Sequence, residues 1–171
     1  MIHVYYGDGK GKTTAATGLV VRAAGSGMKV YVARFLKTDN SSELNILRNI
    51  DNVTVEPVTK TFGFTFRMDE EQKKEAKKYY TSLMKKAIAK ENVEQYDMIF
   101  LDEANIAYHH DFIDREGFLA FLREYGKKKE IIVTGAMGQE VINELGDYVT
   151  EIKKVKHPYD NGVKARKGIE F

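Results

Sequence analysis

Apolar positions along the chain fall into two rhythms. Short runs dense in branched and aromatic residues, at 2–6, 29–34, 53–57, 98–101, 130–134 and 148–155, read as strands. Between them the apolar residues recur at helical spacing, over 13–24, 44–50, from Asp69 to about Glu91, after Asp114, and over 139–145. Asp69 and Asp114 stand where N-caps belong, and Gly25-Ser26-Gly27 closes the first helix. Leu83, Met84, Ala87 and Ile88 mark the buried side of the long helix; Phe118, Leu119, Phe121 and Leu122 mark that of the next. The run Met98-Ile99-Phe100-Leu101 is apolar throughout, as a strand covered on both faces requires. Strands alternating with helices predict an α/β fold, a mostly parallel sheet with helices on both faces. With two prolines, no internal repeat and no low-complexity linker, the sequence reads as a single domain over residues 1–171.

Composition narrows the chemistry. The 171 residues are 43% hydrophobic and 30% charged, the profile of a globular chain with a substantial core. A net charge of +2 gives no reason to expect nucleic acid or an anionic membrane as partner. There is no cysteine, which excludes disulfides, thiolate metal sites and cysteine nucleophiles. No apolar run has the length of a membrane span and the first residues read as a strand, so the default location is cytoplasmic. His109 and His110 are adjacent and on a helix would diverge by about 100°, a poor metal pair.

In an open parallel sheet, ligands sit beyond the carboxyl ends of the strands. The segment Gly7-Asp8-Gly9-Lys10-Gly11-Lys12-Thr13-Thr14 lies at such an end and opens the first helix. Glycines let backbone N–H groups converge on an anion, and the helix N-terminus adds positive potential. Lys12 supplies a cation for phosphate oxygens and Thr13 a hydroxyl for Mg²⁺. The spacing departs from G-x-x-x-x-G-K-[ST], which would need a glycine at position 6, where Tyr6 stands. That shortening counts against an ordinary kinase or GTPase more than against nucleotide binding.

A second signal is Asp102-Glu103 at the end of the apolar strand, an acid pair placed to orient Mg²⁺ directly or through water. On a continuing strand the two would point to opposite sides. Thr134-Gly135 ends another strand beside the same region, and Lys37 reads as a surface lysine close to it. Phe62-Gly63-Phe64-Thr65-Phe66 packs three aromatics into five residues, a pattern that suits either a buried loop anchor or stacking on a large flat ligand. The basic stretch 153–168 reads as a solvated tail or as a strap across the site.

These segments, taken in order, resemble the phosphate-loop type of ATP:corrinoid adenosyltransferase. The residues that carry the resemblance are Gly7 to Thr14, Leu101-Asp102-Glu103, Gly63-Phe64-Thr65, Thr134-Gly135 and the ending Val155-Lys156-His157, Asp160, Gly162-Val163-Lys164-Ala165 and Gly168-Ile169. The similarity spans nearly the whole chain, and the short loop and the tail are its most specific marks. It implies a phosphate-loop nucleoside triphosphate hydrolase-like (RecA-like) fold. It also implies transfer of the 5′-deoxyadenosyl group of ATP to Co(I) of a reduced corrinoid, with release of triphosphate. ATP would lie reversed along the loop, exposing the ribose 5′ carbon.

By the same resemblance, Lys12, Lys10 and Glu103 are the catalytic set, and residues Gly7, Asp8, Gly9, Lys10, Gly11, Lys12, Thr13 and Thr14 hold the triphosphate. Phe64 and Phe66 would pack against the corrinoid near its lower face. Thr13, Asp102 and Glu103 would hold Mg²⁺ or Mn²⁺. A homodimer and a flavoprotein reductase as electron donor are the partners it suggests. The chain departs from the family pattern at Ala136, where arginine is frequent, and at Phe66, where tryptophan is frequent; it also begins at the first strand, where relatives often carry an extension. The rival readings are another phosphate-loop ATPase or phosphotransferase, and a non-catalytic nucleotide- or corrinoid-binding module.

Overall fold

Alternation along the strands divides the core in two. In the computed structural model, which describes residues 1–63 and 65–171 apart from the Phe66 side chain, strands β1 (Ile2–Tyr6), β2 (Val30–Arg34), β3 (Val53–Val55), β4 (Met98–Asp102), β5 (Glu130–Gly135) and β6 (Tyr148–Glu151) form one sheet. The order is β3-β2-β4-β5-β1-β6 and the pairings are parallel throughout. Successive side chains on a strand point to opposite faces. Accordingly Val30, Val32, Met98, Phe100 and Ile132 face one layer, and Tyr31, Ala33, Ile99, Leu101, Ile131 and Val133 face the other.

The first layer is α1 (Lys12–Gly25) with the short α2 (Leu44–Leu47), contributing Ala16, Val20, Ala23, Ala24 and Leu47. Small residues on α1 let the helix that follows the glycine loop lie close against the sheet. The second layer is built by α3 (Glu70–Ile88), α4 (Lys90–Val93), α5 (Ala104–His109), α6 (Arg115–Tyr125) and α7 (Glu140–Leu145). The α/β class with helices on both faces is therefore observed as the hydrophobic pattern predicts.

Boundaries move where backbone chemistry overrides periodicity. Asp69 caps α3 as expected, in a full capping box: its carboxylate accepts from Gln72 N at 2.8 Å and its own amide donates to Gln72 Oε1 at 3.0 Å. The helix stops at Ile88 rather than near 91, because Ala89 turns to φ −58°, ψ 137° and a separate turn, α4, restarts at Lys90. β6 ends at Glu151, short of 155: the Ile152 amide still donates to Tyr6 O of β1, but its carbonyl accepts from Gly9 N of the glycine loop. The 61–67 segment contains one 3₁₀ turn, Thr65–Arg67. Among the described residues no helix is long and apolar enough to cross a membrane.

Phe100 sits on β4, one of the two central strands of the sheet, and is 1% exposed. Truncating such a side chain leaves a cavity that rigid neighbours fill poorly, so Phe100→Ala should cost about 3–5 kcal/mol. Urea unfolding checks this; a loss below about 1 kcal/mol would mean that the two layers collapse onto the strand freely.

Candidate active site

The sheet order places β5 between β1, which launches the glycine loop, and β4, which ends in the acid pair. The segments that follow β1, β2 and β4 line one cleft of about 710 Å³. Lys10, Gly11, Lys12, Thr13 and Thr14 line it on one side, Lys37, Thr38 and Glu43 on another, and Glu103 at the base. Residues Gly168 to Phe171 close a further side, held there in part by Ser42 Oγ, which donates to the Phe171 carbonyl at 3.0 Å. The tail therefore reaches the cleft, as the strap reading requires, while most of 155–167 stays exposed.

The glycine loop has two halves with different duties. Its first half is clamped by the chain leaving β6. Gly9 N donates to Ile152 O at 2.8 Å, and Lys154 N donates to an oxygen of Asp8 at 2.9 Å. That amide holds the Asp8 carboxyl below its ordinary value. Gly7 adopts φ 121°, and a Cβ there would come within 2.3 Å of Ile152 O, so no side chain fits. The second half is open. Gly11, at φ 124° with free space where a Cβ would stand, turns the chain into α1, whose first residues line the cleft. Lys10 and Thr14 are exposed there. Lys12 folds back and donates to Gly9 O at 2.8 Å. Burial pulls the Lys12 ammonium below its usual value, against the opposing pull of Glu103.

At the floor of the cleft Asp102 is fully buried. Its Oδ1 accepts from Thr13 Oγ1 at 2.9 Å and from Thr134 Oγ1 at 2.7 Å. Its Oδ2 faces Lys37 Nζ at 2.7 Å and Arg34 Nε at 3.6 Å. Burial pushes the Asp102 carboxyl up, but the Lys37 ammonium, the Thr134 hydroxyl and Arg34 together outweigh it, and the group stays ionised below the usual aspartate value. Thr134 serves twice, since its hydroxyl also accepts from Glu103 N at 2.9 Å.

Glu103 does not continue the strand. It takes the left-handed conformation, φ 61° and ψ 20°, which is strained for a residue with a side chain and turns it into the cleft at the start of α5. The two acids therefore share one neighbourhood: Glu103 Oε1 lies 4.0 Å from the same Lys37 ammonium that Asp102 holds. Burial, then the nearby Asp102 charge, raises the Glu103 carboxyl above its usual value. The backbone of Ala136, like the Lys37 and Lys12 ammonium groups, opposes that rise.

Among the described residues no group of three His, Cys, Asp or Glu could hold a metal. A hydroxyl and two carboxylates, with phosphate oxygens completing the shell, are nevertheless the ordinary donor set for Mg²⁺. The fit is visible in the protein itself, because Thr13 Oγ1 and Asp102 Oδ2 already surround a cation, the Lys37 ammonium. Lys37 and the buried Arg34 are the functional residues that the sequence undersold. Their signal was position alone, immediately at and after the end of a central strand.

The aromatic loop is described in part. Phe62 packs against Tyr79 and Tyr80 with ring centres 5.8 and 5.7 Å apart, so it is the loop's anchor. Phe64 and the Phe66 side chain lie outside the described residues.

Because one hydroxyl satisfies both Asp102 and the Glu103 amide, Thr134→Val should remove both bonds at nearly constant volume. The expected loss is about 1–3 kcal/mol of stability in urea unfolding, with Thr134→Ser close to wild type. Equal stability of the valine and serine variants would show that Asp102 does not depend on that hydroxyl.

The chain is similar to known proteins in fold and in sequence. A structure of EssC (ATPases 2 and 3) from Geobacillus thermodenitrificans superposes with a TM-score of 0.52 at 13% identity, covering 98% of this chain and 34% of that one, a likeness of fold alone. The corrinoid adenosyltransferase of Pseudomonas aeruginosa is 34% identical, over 98% of this chain and 82% of its own length. That of Escherichia coli K12 is 36% identical, and corrinoid adenosyltransferase CobA of Salmonella typhimurium is 35% identical, each over 100% of this chain and 85% of its own length. The family model for ATP:corrinoid adenosyltransferase BtuR/CobO/CobP matches residues 1–171. The chain belongs to the ATP:corrinoid adenosyltransferase family.

Proposed function

We propose that this protein moves the 5′-deoxyadenosyl group of ATP onto the Co(I) centre of a reduced corrinoid, with inorganic triphosphate as the other product. Family membership supports the activity, and one observation of the site carries it. The shortened glycine loop, tied through Thr13 to a buried Asp102, opens onto a cleft with cations on both flanks, and among the described residues lining it none is a histidine or cysteine that could serve as base or nucleophile.

The chemistry needs none. The cobalt electron pair forms the bond to the ribose 5′ carbon, and the C–O bond breaks with its electrons leaving on triphosphate. The protein's task is to place the two reactants and to stabilise charge on the departing oxygens. Amides of Lys10 to Thr13 and the ammonium groups of Lys10 and Lys12 do the second, since the Gly9 amide is already spent on Ile152 O; Lys12 would exchange its bond to Gly9 O for one to phosphate. Mg²⁺ or Mn²⁺ held by Thr13, Asp102 and Glu103 would screen the phosphate charges and fix their geometry. Phe64 and Phe66 are the residues we assign to the corrinoid, an apolar wall that keeps water from the cobalt. A homodimer, a cytoplasmic setting and a flavoprotein reductase as electron source complete the reading by family resemblance.

Incubation with ATP, Mg²⁺ and chemically reduced cobalamin tests it. Adenosylated corrinoid should form with one triphosphate per turnover; phosphate or ADP released without regard to corrinoid would indicate a phosphotransferase or ATPase instead. Lys12→Ala should lower kcat/KM by about 100-fold or more, the scale for removing one donor from a developing oxyanion, with circular dichroism unchanged. Unaltered turnover in that variant would remove Lys12 from the mechanism.

A further inference from the structure

The three side chains assigned above to a divalent metal already share a cation. Lys37 Nζ donates to Thr13 Oγ1 at 2.7 Å, lies 2.7 Å from Asp102 Oδ2 and stands 4.0 Å from Glu103 Oε1. We propose that Lys37 is a movable counter-ion. It occupies the cation seat in the ligand-free protein and gives it up to the metal when an incoming polyphosphate offers its ammonium a new anionic partner. This inference rests on the metal-assisted reading of the site.

Three features make the exchange possible. Asp102 has two basic neighbours of different mobility. Arg34 is 2% exposed and fixed, with its guanidinium donating to Ser41 Oγ at 2.7 Å and to the Thr38 carbonyl at 3.2 Å. The Lys37 side chain is 22% exposed and lines the open cleft beside Lys12, so it has room to swing toward a ligand. The bend that brings it back over β4 is built into the backbone. Leu36 takes φ 54°, and Phe35 N donates to Asp102 O at 2.9 Å.

The seat is also too small for both cations. A metal bound to Thr13 and Asp102 would stand within a few ångströms of the ammonium, where like charges in a desolvated site repel strongly. Lys37 therefore leaves or the metal does not bind. Buried Asp102 keeps Arg34 as partner during the exchange, so no uncompensated charge is created. Metal and polyphosphate then bind cooperatively, because each favours the same position of Lys37. An enzyme built this way resists filling by free metal and assembles its charged site only around the nucleotide.

The test uses the full chain without nucleotide and Mn²⁺ alone as probe, with free Mn²⁺ read by electron paramagnetic resonance. Lys37→Met should bind Mn²⁺ about tenfold or more tightly than wild type, while Lys37→Arg, which keeps the charge, stays near wild type. Equal or weaker binding by the folded methionine variant, or no binding at all, overturns the proposal.

A second measurement needs no variant. In wild-type protein, reductive methylation mapped by mass spectrometry should modify Lys37 slowly without metal. At Mn²⁺ concentrations that fill the site it should modify Lys37 severalfold faster. An unchanged rate at a filled site overturns the proposal even if the methionine variant does not fold. Failure here with adenosylated corrinoid still formed leaves the catalytic reading intact. The Lys37 effect without that product would sink the catalytic reading alone.

Discussion

A carboxylate taken wholly out of water must be neutralised and hydrogen-bonded, or it protonates or destabilises the fold. Asp102 is that carboxylate here, and the elements around it are arranged by its demands. Thr13 comes from the start of α1, Thr134 from the end of β5, and Lys37 and Arg34 from the end of β2. Three separate segments are thereby registered on one side chain of β4. The same bonds fix the entry of α1 relative to β4, which is what holds the open half of the glycine loop at the rim of the cleft. Glu103 inherits its position from this arrangement, because its amide is bonded by the Thr134 hydroxyl that also serves Asp102.

The short loop has a structural counterpart. One residue fewer between its glycines leaves little slack, and the chain after β6 takes up what remains. Ile152 and Lys154 grip Gly9 and Asp8 from behind, with so little room that Gly7 tolerates no Cβ. An anion bound in front would meet a loop already rigid from its rear side. Such preorganisation is the form of catalysis open to a cleft with no histidine or cysteine among its described lining residues. Residues Gly168 to Phe171 reach the same cleft, so the end of the chain after β6 serves the site twice.

Most of the architecture could be read from local pattern, because strand runs and helical periods are local properties. The glycine loop and the acid pair were legible for the same reason. What stayed hidden depends on partners distant in sequence or on unusual backbone. The sheet order does not follow from periodicity. Helix α5 begins after a left-handed Glu103 and spans only Ala104 to His109, too short for a period to show. The expectation that Asp102 and Glu103 point apart assumed a continuing strand, and the turn at Glu103 brought both to Lys37. Lys37 itself looked like a surface lysine; only the positive φ at Leu36 and the tie from Phe35 to Asp102 carry it inward. The early end of β6 is of the same kind, since the Ile152 carbonyl is taken by Gly9 N, far earlier in the chain, while its amide still holds Tyr6 O.

In the proposed reaction the loop holds the part of ATP that departs. The most direct measurement is a crystal structure of the protein with Mg²⁺ and ATP. The expected complex has triphosphate oxygens on the amides of Lys10 to Thr13, the metal on Thr13 with Asp102 or Glu103, and the ribose 5′ carbon facing the open cleft. A terminal phosphoryl group in that exposed place, with the ribose buried against the glycine loop, would contradict it.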